Sequence, residues 1–191
     1  MVNPCPPQGG SPPQATTRLL SWADAEPDDR EQLKQFKCTE PPERTPTSAY
    51  RRVYARQHER SAEKLVHGLV PAKVDARHQR IWVGKDADGI GAVICWEWQP
   101  DDSLLVVVAA LHNRLRKKGT QYTAEMMDTA QSQAMGEAVA RGLRSVDVGA
   151  VIHNANSASR YFAGRFGMVP VAVVDVHHRV YGITLDLGDT A

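Results

Sequence analysis

Ser103-Leu-Leu-Val-Val-Val-Ala-Ala-Leu-His112 runs directly into Asn113-Arg-Leu-Arg-Lys-Lys-Gly-Thr-Gln121, and roughly twenty further residues place apolar side chains at helical spacing. In order, this reads as a strand, a basic glycine-bearing turn and the start of a helix. The unpaired N–H groups of a helix's first turn and the positive end of its dipole converge at such a turn, which suits an anion. A phosphate-bearing ligand is therefore the first expectation.

On the C-terminal side, Met126, Met127, Ala130, Ala134 and Ala138 define the core-facing stripe of the helix, and Gly142 ends it. A strand follows over residues 145–152, then the loop His153-Asn-Ala-Asn156, a helix over 157–166 stopped by Gly167, and a hairpin of 169–176 and 180–187 turning at His177-His178. On the N-terminal side, residues 80–84 and 90–98 flank Lys85-Asp-Ala-Asp-Gly89, whose Asp-Gly pair signals a hairpin. Gln99-Pro-Asp-Asp102 then turns the chain into the opening strand, so three consecutive strands are antiparallel. Further upstream the reading is a strand over 18–22, a helix over 28–36, a proline-rich loop over 38–46 and a charged helix over 48–69. The order β-α-α-β-β-β-α-β-α-β-β predicts an α/β sandwich with helices on both faces of a mixed sheet.

Composition bounds the function. The 191 residues, 42% hydrophobic and 24% charged, suit one domain spanning 17–191 behind a proline-rich disordered tail over 1–16. A formal net charge of +1, with no basic stripe interleaved with aromatics, removes nucleic acid as a partner. The longest apolar run is too short to span a bilayer, and the start lacks the basic and apolar regions of a signal peptide, so no membrane partner and a cytoplasmic setting are expected. Three widely spaced cysteines, Cys5, Cys38 and Cys95, form neither a disulfide framework nor a zinc set. No metal is expected, and His177-His178, with no cysteine or carboxylate at ligand spacing, reads as a turn.

Two motifs carry a resemblance over residues 18–187. Arg116-Lys-Lys-Gly-Thr-Gln121 resembles the R/Q-x-x-G-x-G/A pyrophosphate loop of the GNAT superfamily of acyl-CoA-dependent N-acetyltransferases. Asn156-Ser-Ala-Ser-Arg-Tyr-Phe-Ala-Gly-Arg-Phe-Gly-Met168 is similar to that family's N-x-x-A/S helix closing with G-F. The resemblance implies an α/β fold with a GNAT-like mixed central sheet of about seven strands flanked by helices on both faces. It implies acetyl-CoA as co-substrate, held by Arg116, Lys117, Lys118, Gly119, Thr120 and Gln121 at the phosphates, with charge also from Arg114. The main chain of Ala110, Leu111 and His112 would hold the pantetheine arm, and Asn156 and Ser159 would sit beside the thioester. The implied reaction is direct attack of an amine on the thioester, the oxyanion held by backbone N–H near Leu111.

The candidate catalytic residues are Glu97, His112 and Tyr161, with His153 a further candidate base. Glu97 alternates between Trp96 and Trp98 on a strand and faces opposite to both. The tryptophans read as packing or as walls of an acceptor pocket, and Tyr161 as a residue packing on the sheet or a general acid. This chain has Gln121 where the loop motif ends in Gly or Ala, and Ala163 where many members carry the tyrosine that protonates the departing thiolate. Those two departures favour the alternative of an inactive acyl-CoA-binding or protein-interaction domain. The acceptor is a small-molecule amine or a peptide, and the protein is a monomer or homodimer.

Overall fold

A computed structural model describes residues 19–39, 57–116 and 118–188, so the proline-rich tail, Cys5, Lys117 and the start of the expected helix over 48–69 lie outside the described residues. The elements are β1 (Ser21–Asp24), α1 (Arg30–Gln35), α2 (Gln57–Gly68), β2 (Gln79–Asp86), β3 (Gly89–Trp98), β4 (Leu104–Leu111), α3 (Asn113–Arg116), α4 (Gln121–Ala140), β5 (Ser145–His153), α5 (Ser157–Arg165), β6 (Val169–Val173) and β7 (His178–Asp186). The strands form one seven-stranded sheet in the order β1-β2-β3-β4-β5-β7-β6. Neighbours are antiparallel except β4 and β5, which run parallel. The fold is the mixed α/β sandwich that the pattern implied.

Strand β4 occupies the expected residues because a continuous apolar run between two turns is suited to a strand buried on both faces. Three elements differ, the final hairpin among them, since β6 ends at Val173 and His178 opens β7, leaving residues 174–177 as the turn. The first strand is shifted to Ser21–Asp24, where Ser21 to Asp24 pair with Lys85 to Trp82 and Arg80 Nη1 closes an ion pair of 2.6 Å with Asp24. The basic turn begins with a one-turn helix, α3, in which the His112 carbonyl accepts the N–H groups of Leu115 and Arg116. A single turn is too short to leave a period in the sequence.

Two hydrophobic layers flank the sheet. On one face Ile94, Trp96, Trp98 and Leu104 pack against Leu115, Met126, Ala134 and Ala138 of α3 and α4. Trp98 Nε1 donates to Glu137 Oε2 at 2.8 Å and Trp96 Nε1 at 3.3 Å, with Arg80 Nε 3.3 Å from the other oxygen. On the opposite face Val93, Cys95, Val108 and Ala110 pack against Leu33, Phe36, Val66 and Leu69 around α1 and α2. A third, small cluster joins Ala163 of α5 to Ile152, Met168 and Tyr181. Along β5, Val146 belongs to the α4 cluster and Ile152 to the α5 cluster, and strand alternation puts both on one face. Helices α4 and α5 therefore share a face. His153, Val151 and Gly149 point to the other one, as does α2.

Candidate functional site

β4 and β5 pair over three residues only, Leu104–Val106 against Val148–Ala150. The cause is local. Cys95 pairs with Val108 and Trp96 with Val106, so Val107 is an extra residue that bends β4 away from its neighbour as pairing ends. Beyond that bulge the two strands part, leaving a splay that is closed at Val106 and open at Leu111 and His153.

The main chain of β4 lines one wall of the splay. His112 N–H donates to Gly91 O at 2.8 Å, toward β3. By alternation the N–H of Ala110 turns the same way and that of Leu111 turns into the splay. Of Ala110, Leu111 and His112, all three expected to hold a pantetheine arm, only Leu111 turns its N–H into the splay.

The glycine-bearing turn lies at the open end, where α4 begins. Gly119 has φ +122°, a left-handed conformation that favours glycine, and it brings the backbone of Lys118, Gly119 and Thr120 round to the first turn of the twenty-residue α4. The first N–H groups of that helix have no carbonyl within it to bond. Gln121 folds back over the turn: its Nε2 donates to Lys118 O at 2.8 Å, and a side chain at Gly119 would collide with its amide. The cradle fits a pyrophosphate once this one solvent-exposed bond, of order 1 kcal/mol, is released. Arg114, expected to add charge here, is committed elsewhere. Its guanidinium pairs with Asp86 and donates to Gly89 O at 3.1 Å, which holds Asp86 below the ordinary carboxylate range and ties α3 to the β2–β3 hairpin.

Asn156, expected with Ser159 beside the thioester, caps α5, its Oδ1 accepting the Ser159 N–H at 3.0 Å. The helix ends as the motif requires: Gly167 has φ +75°, and Met168 N–H donates to Ala163 O, closing a Schellman motif. Tyr161 neither packs on the sheet nor reaches the splay. It is 59% exposed, on the far side of α5 from buried Ala163, because two residues turn a helix by about 200°.

Glu97 pairs with Leu105 near the closed end of the splay and accepts Gln79 Nε2 at 2.7 Å. It faces away from Trp96 and Trp98, as alternation required, and both indoles are packed under α4. A cavity of about 640 Å³ lies on this face, lined in part by Gln99, Leu105, Gly149, Val180 and Gly182. Cys95, two residues before Glu97 on β3, is fully buried with its thiol pushed up to about 12, first by burial and then by the Glu97 charge, so it stays protonated. A covalent acyl intermediate on Cys95 is disfavoured. His112 lies edge-on to Phe36, 5.2 Å between centroids, and its Nδ1 accepts the Arg114 N–H at 3.2 Å. Burial, then the Arg114 charge, lowers its pKa below the ordinary value. His177-His178 does have a carboxylate partner after all. Asp175 lies 3.0 Å from His178 Nδ1 through both its oxygens, a contact between i and i+3 that only the turn's conformation creates.

The chain thus has a mixed sheet that parts between two parallel strands, with a helix N-terminus and glycine turn at the open end. In particular, the chain has the fold of the GNAT acetyltransferases. Superposed on the PaiA N-acetyltransferase of Thermoplasma acidophilum in complex with coenzyme A, it gives a TM-score of 0.60 at 11% identity over 86% of this chain and 98% of that one. A GNAT-family acetyltransferase of Staphylococcus aureus gives 0.60 at 10% identity, covering 87% and 99%. The ribosomal-protein-S18-alanine N-acetyltransferase of Escherichia coli gives 0.53 at 10% identity, covering 91% and 99%. No family model and no curated protein matches the sequence. Among the described residues no helix is long and apolar enough to cross a membrane, and no group of three His, Cys, Asp or Glu is arranged to hold a metal ion.

Proposed function

We propose that the protein is an N-acetyltransferase that moves an acetyl group from acetyl-CoA to a primary amine, a small molecule or a peptide, by direct attack on the thioester. The observation that carries this reading is the splay itself, with an anion-suited turn at its open end and, toward its closed end, a groove lined in part by Leu105, Gly149 and Val180. Lys118, Gly119, Thr120 and the first turn of α4 hold the pyrophosphate, with Arg116 beside them, and Leu111 N–H lies in the splay where an oxyanion develops. Bound there, the thioester supplies an activated acyl carbon. The amine enters from the α2 face, where the 640 Å³ groove is of ordinary size for a small ligand.

The second reading, a catalytically inactive acyl-CoA-binding or interaction domain, is favoured by Gln121 lying over Gly119 and by Ala163. One experiment separates the cases. Acetyl-CoA and CoA, but not ATP, raise the melting temperature, since a ligand at a hundred times its Kd stabilises by about 2.7 kcal/mol. Arg116→Ala with Gly119→Glu abolishes the shift, whereas Gln121→Ala strengthens binding by up to about tenfold because one hydrogen bond no longer has to be broken. Absence of any shift, in the wild type and in Gln121→Ala alike, rejects acyl-CoA binding. A shift without turnover of any amine leaves the inactive domain as the function.

A further inference from the structure

Four histidine rings from three parts of the fold gather on the α2 face at the open end of the splay. His153, the last residue of β5, lies 5.8 Å from His58 of α2, 5.8 Å from His177 and 5.0 Å from His178, between ring centroids. Asn154 pins the β6–β7 turn to β5: its N–H donates to His177 O at 2.6 Å and its side-chain amide to Val176 O at 3.1 Å. The anion-suited turn at the start of α4 serves the other face. A group lying in the splay is thus reached from one face by the turn and from the other by these rings.

The ring nitrogens distinguish the histidines. Nδ1 of His112 accepts the Arg114 N–H, and Nδ1 of His153 accepts the Ala155 N–H at 3.0 Å. A neutral ring so bonded keeps its proton on Nε2 and presents a donor instead of a lone pair. His178 is the reverse. Asp175 is held ionised by the N–H groups of His177 and His178, at 2.6 and 2.8 Å, and by the imidazole itself. An ionised carboxylate only accepts, so Nδ1 of His178 carries the proton and Nε2 keeps its lone pair.

We propose that His178, oriented by Asp175, is the base that deprotonates an amine acceptor entering through this face. The inference rests on the acetyl-transfer reading above. An ammonium N–H bond breaks and its proton goes to Nε2. The freed nitrogen lone pair bonds to the thioester carbonyl carbon, the carbon–sulfur bond breaks with its electron pair on sulfur, and the second proton of the attacking nitrogen passes through water to the thiolate, leaving a neutral amide and a thiol. The imidazolium returns its proton to solvent, which it meets because the side chain is 38% exposed. His178 is the catalytic residue and Asp175 the positioning residue, holding the tautomer. The charged and titratable groups around it are Asp175 and His177 of the turn and His153 of β5, with His58 of α2 stacked on His153.

The test measures kcat/KM for acetyl transfer from acetyl-CoA to a panel of primary amines against pH, in wild type, His178→Gln and Asp175→Asn. His178→Gln lowers it by about 100-fold or more and removes the acid limb of the profile. Asp175→Asn keeps an oxygen for the turn N–H groups, so the turn survives; the loss is smaller and the acid limb moves to lower pH, because the imidazolium loses its counter-charge. Both variants keep the wild-type melting shift with CoA. A long-range proton–nitrogen NMR spectrum of the wild type at pH 8 shows His178 as the Nδ1–H tautomer. Undiminished transfer by His178→Gln, or an Nε2–H tautomer, overturns the base while acetyl transfer stands. A wild type that binds acetyl-CoA but acetylates no amine overturns both.

Discussion

The two halves of the sheet are built differently. From β1 to β4 the strands are covered by α1 and α2 on one face and by α3 and α4 on the other, and eight of the ten residues of β3 are buried. From β5 to β7 the described residues place only α5 and the end of α4 on one face, and every residue of β6 is exposed. The splay lies at the boundary. A double-sided core makes the first half rigid enough to hold a bulge and a glycine turn, whereas among the described residues the second half has helix cover on one face only.

The largest test of this difference is Trp96→Ala, which empties a ring that is 1% exposed under α4 and costs about 3–5 kcal/mol in urea unfolding. Glu137→Ala follows at about 2–3 kcal/mol, since it strips the acceptor from two indole N–H groups in the same layer. A smaller and more diagnostic contrast lies in the pH dependence of stability. Asp86 has a depressed pKa, first through its bond from Arg114, so its contribution is full above its ordinary 3.8 and is lost as pH falls toward the lowered value. His153 is depressed by burial and by the other histidines. The unfolded chain then binds its proton more readily, and stability declines as pH falls below the ordinary 6.5. Melting temperature should therefore fall less steeply just below pH 6.5 in His153→Gln, with His112 supplying the slope that remains, and less steeply below pH 4 in Asp86→Asn. The smallest effect belongs to Val173→Ala. At 71% exposed on β6 it stays within about 0.5 kcal/mol of wild type.

Much of the architecture was readable in one dimension because it depends on near neighbours. Apolar runs bounded by turns placed β4 and its hairpin partners, helical spacing found α4, and Gly167 marked the end of α5 through a backbone conformation that favours glycine. Alternation separated Glu97 from its two flanking tryptophans. The site was less readable. Nothing near Arg114 in the chain reveals that Asp86, 28 residues away, takes its charge, and nothing near Tyr161 shows that α5 turns it to solvent. The carboxylate partner of His178 was only three residues away, yet spacing alone missed it because the contact needs the turn to fold.

Local sequence was sufficient for the strands, the principal helices and the glycine turn, because backbone preference and the burial of one face act over a few residues. Which ring nitrogen keeps a lone pair, which carboxylate takes the Arg114 charge, and where β4 and β5 part were decided in three dimensions. Each depends on partners that only the assembled sheet brings together.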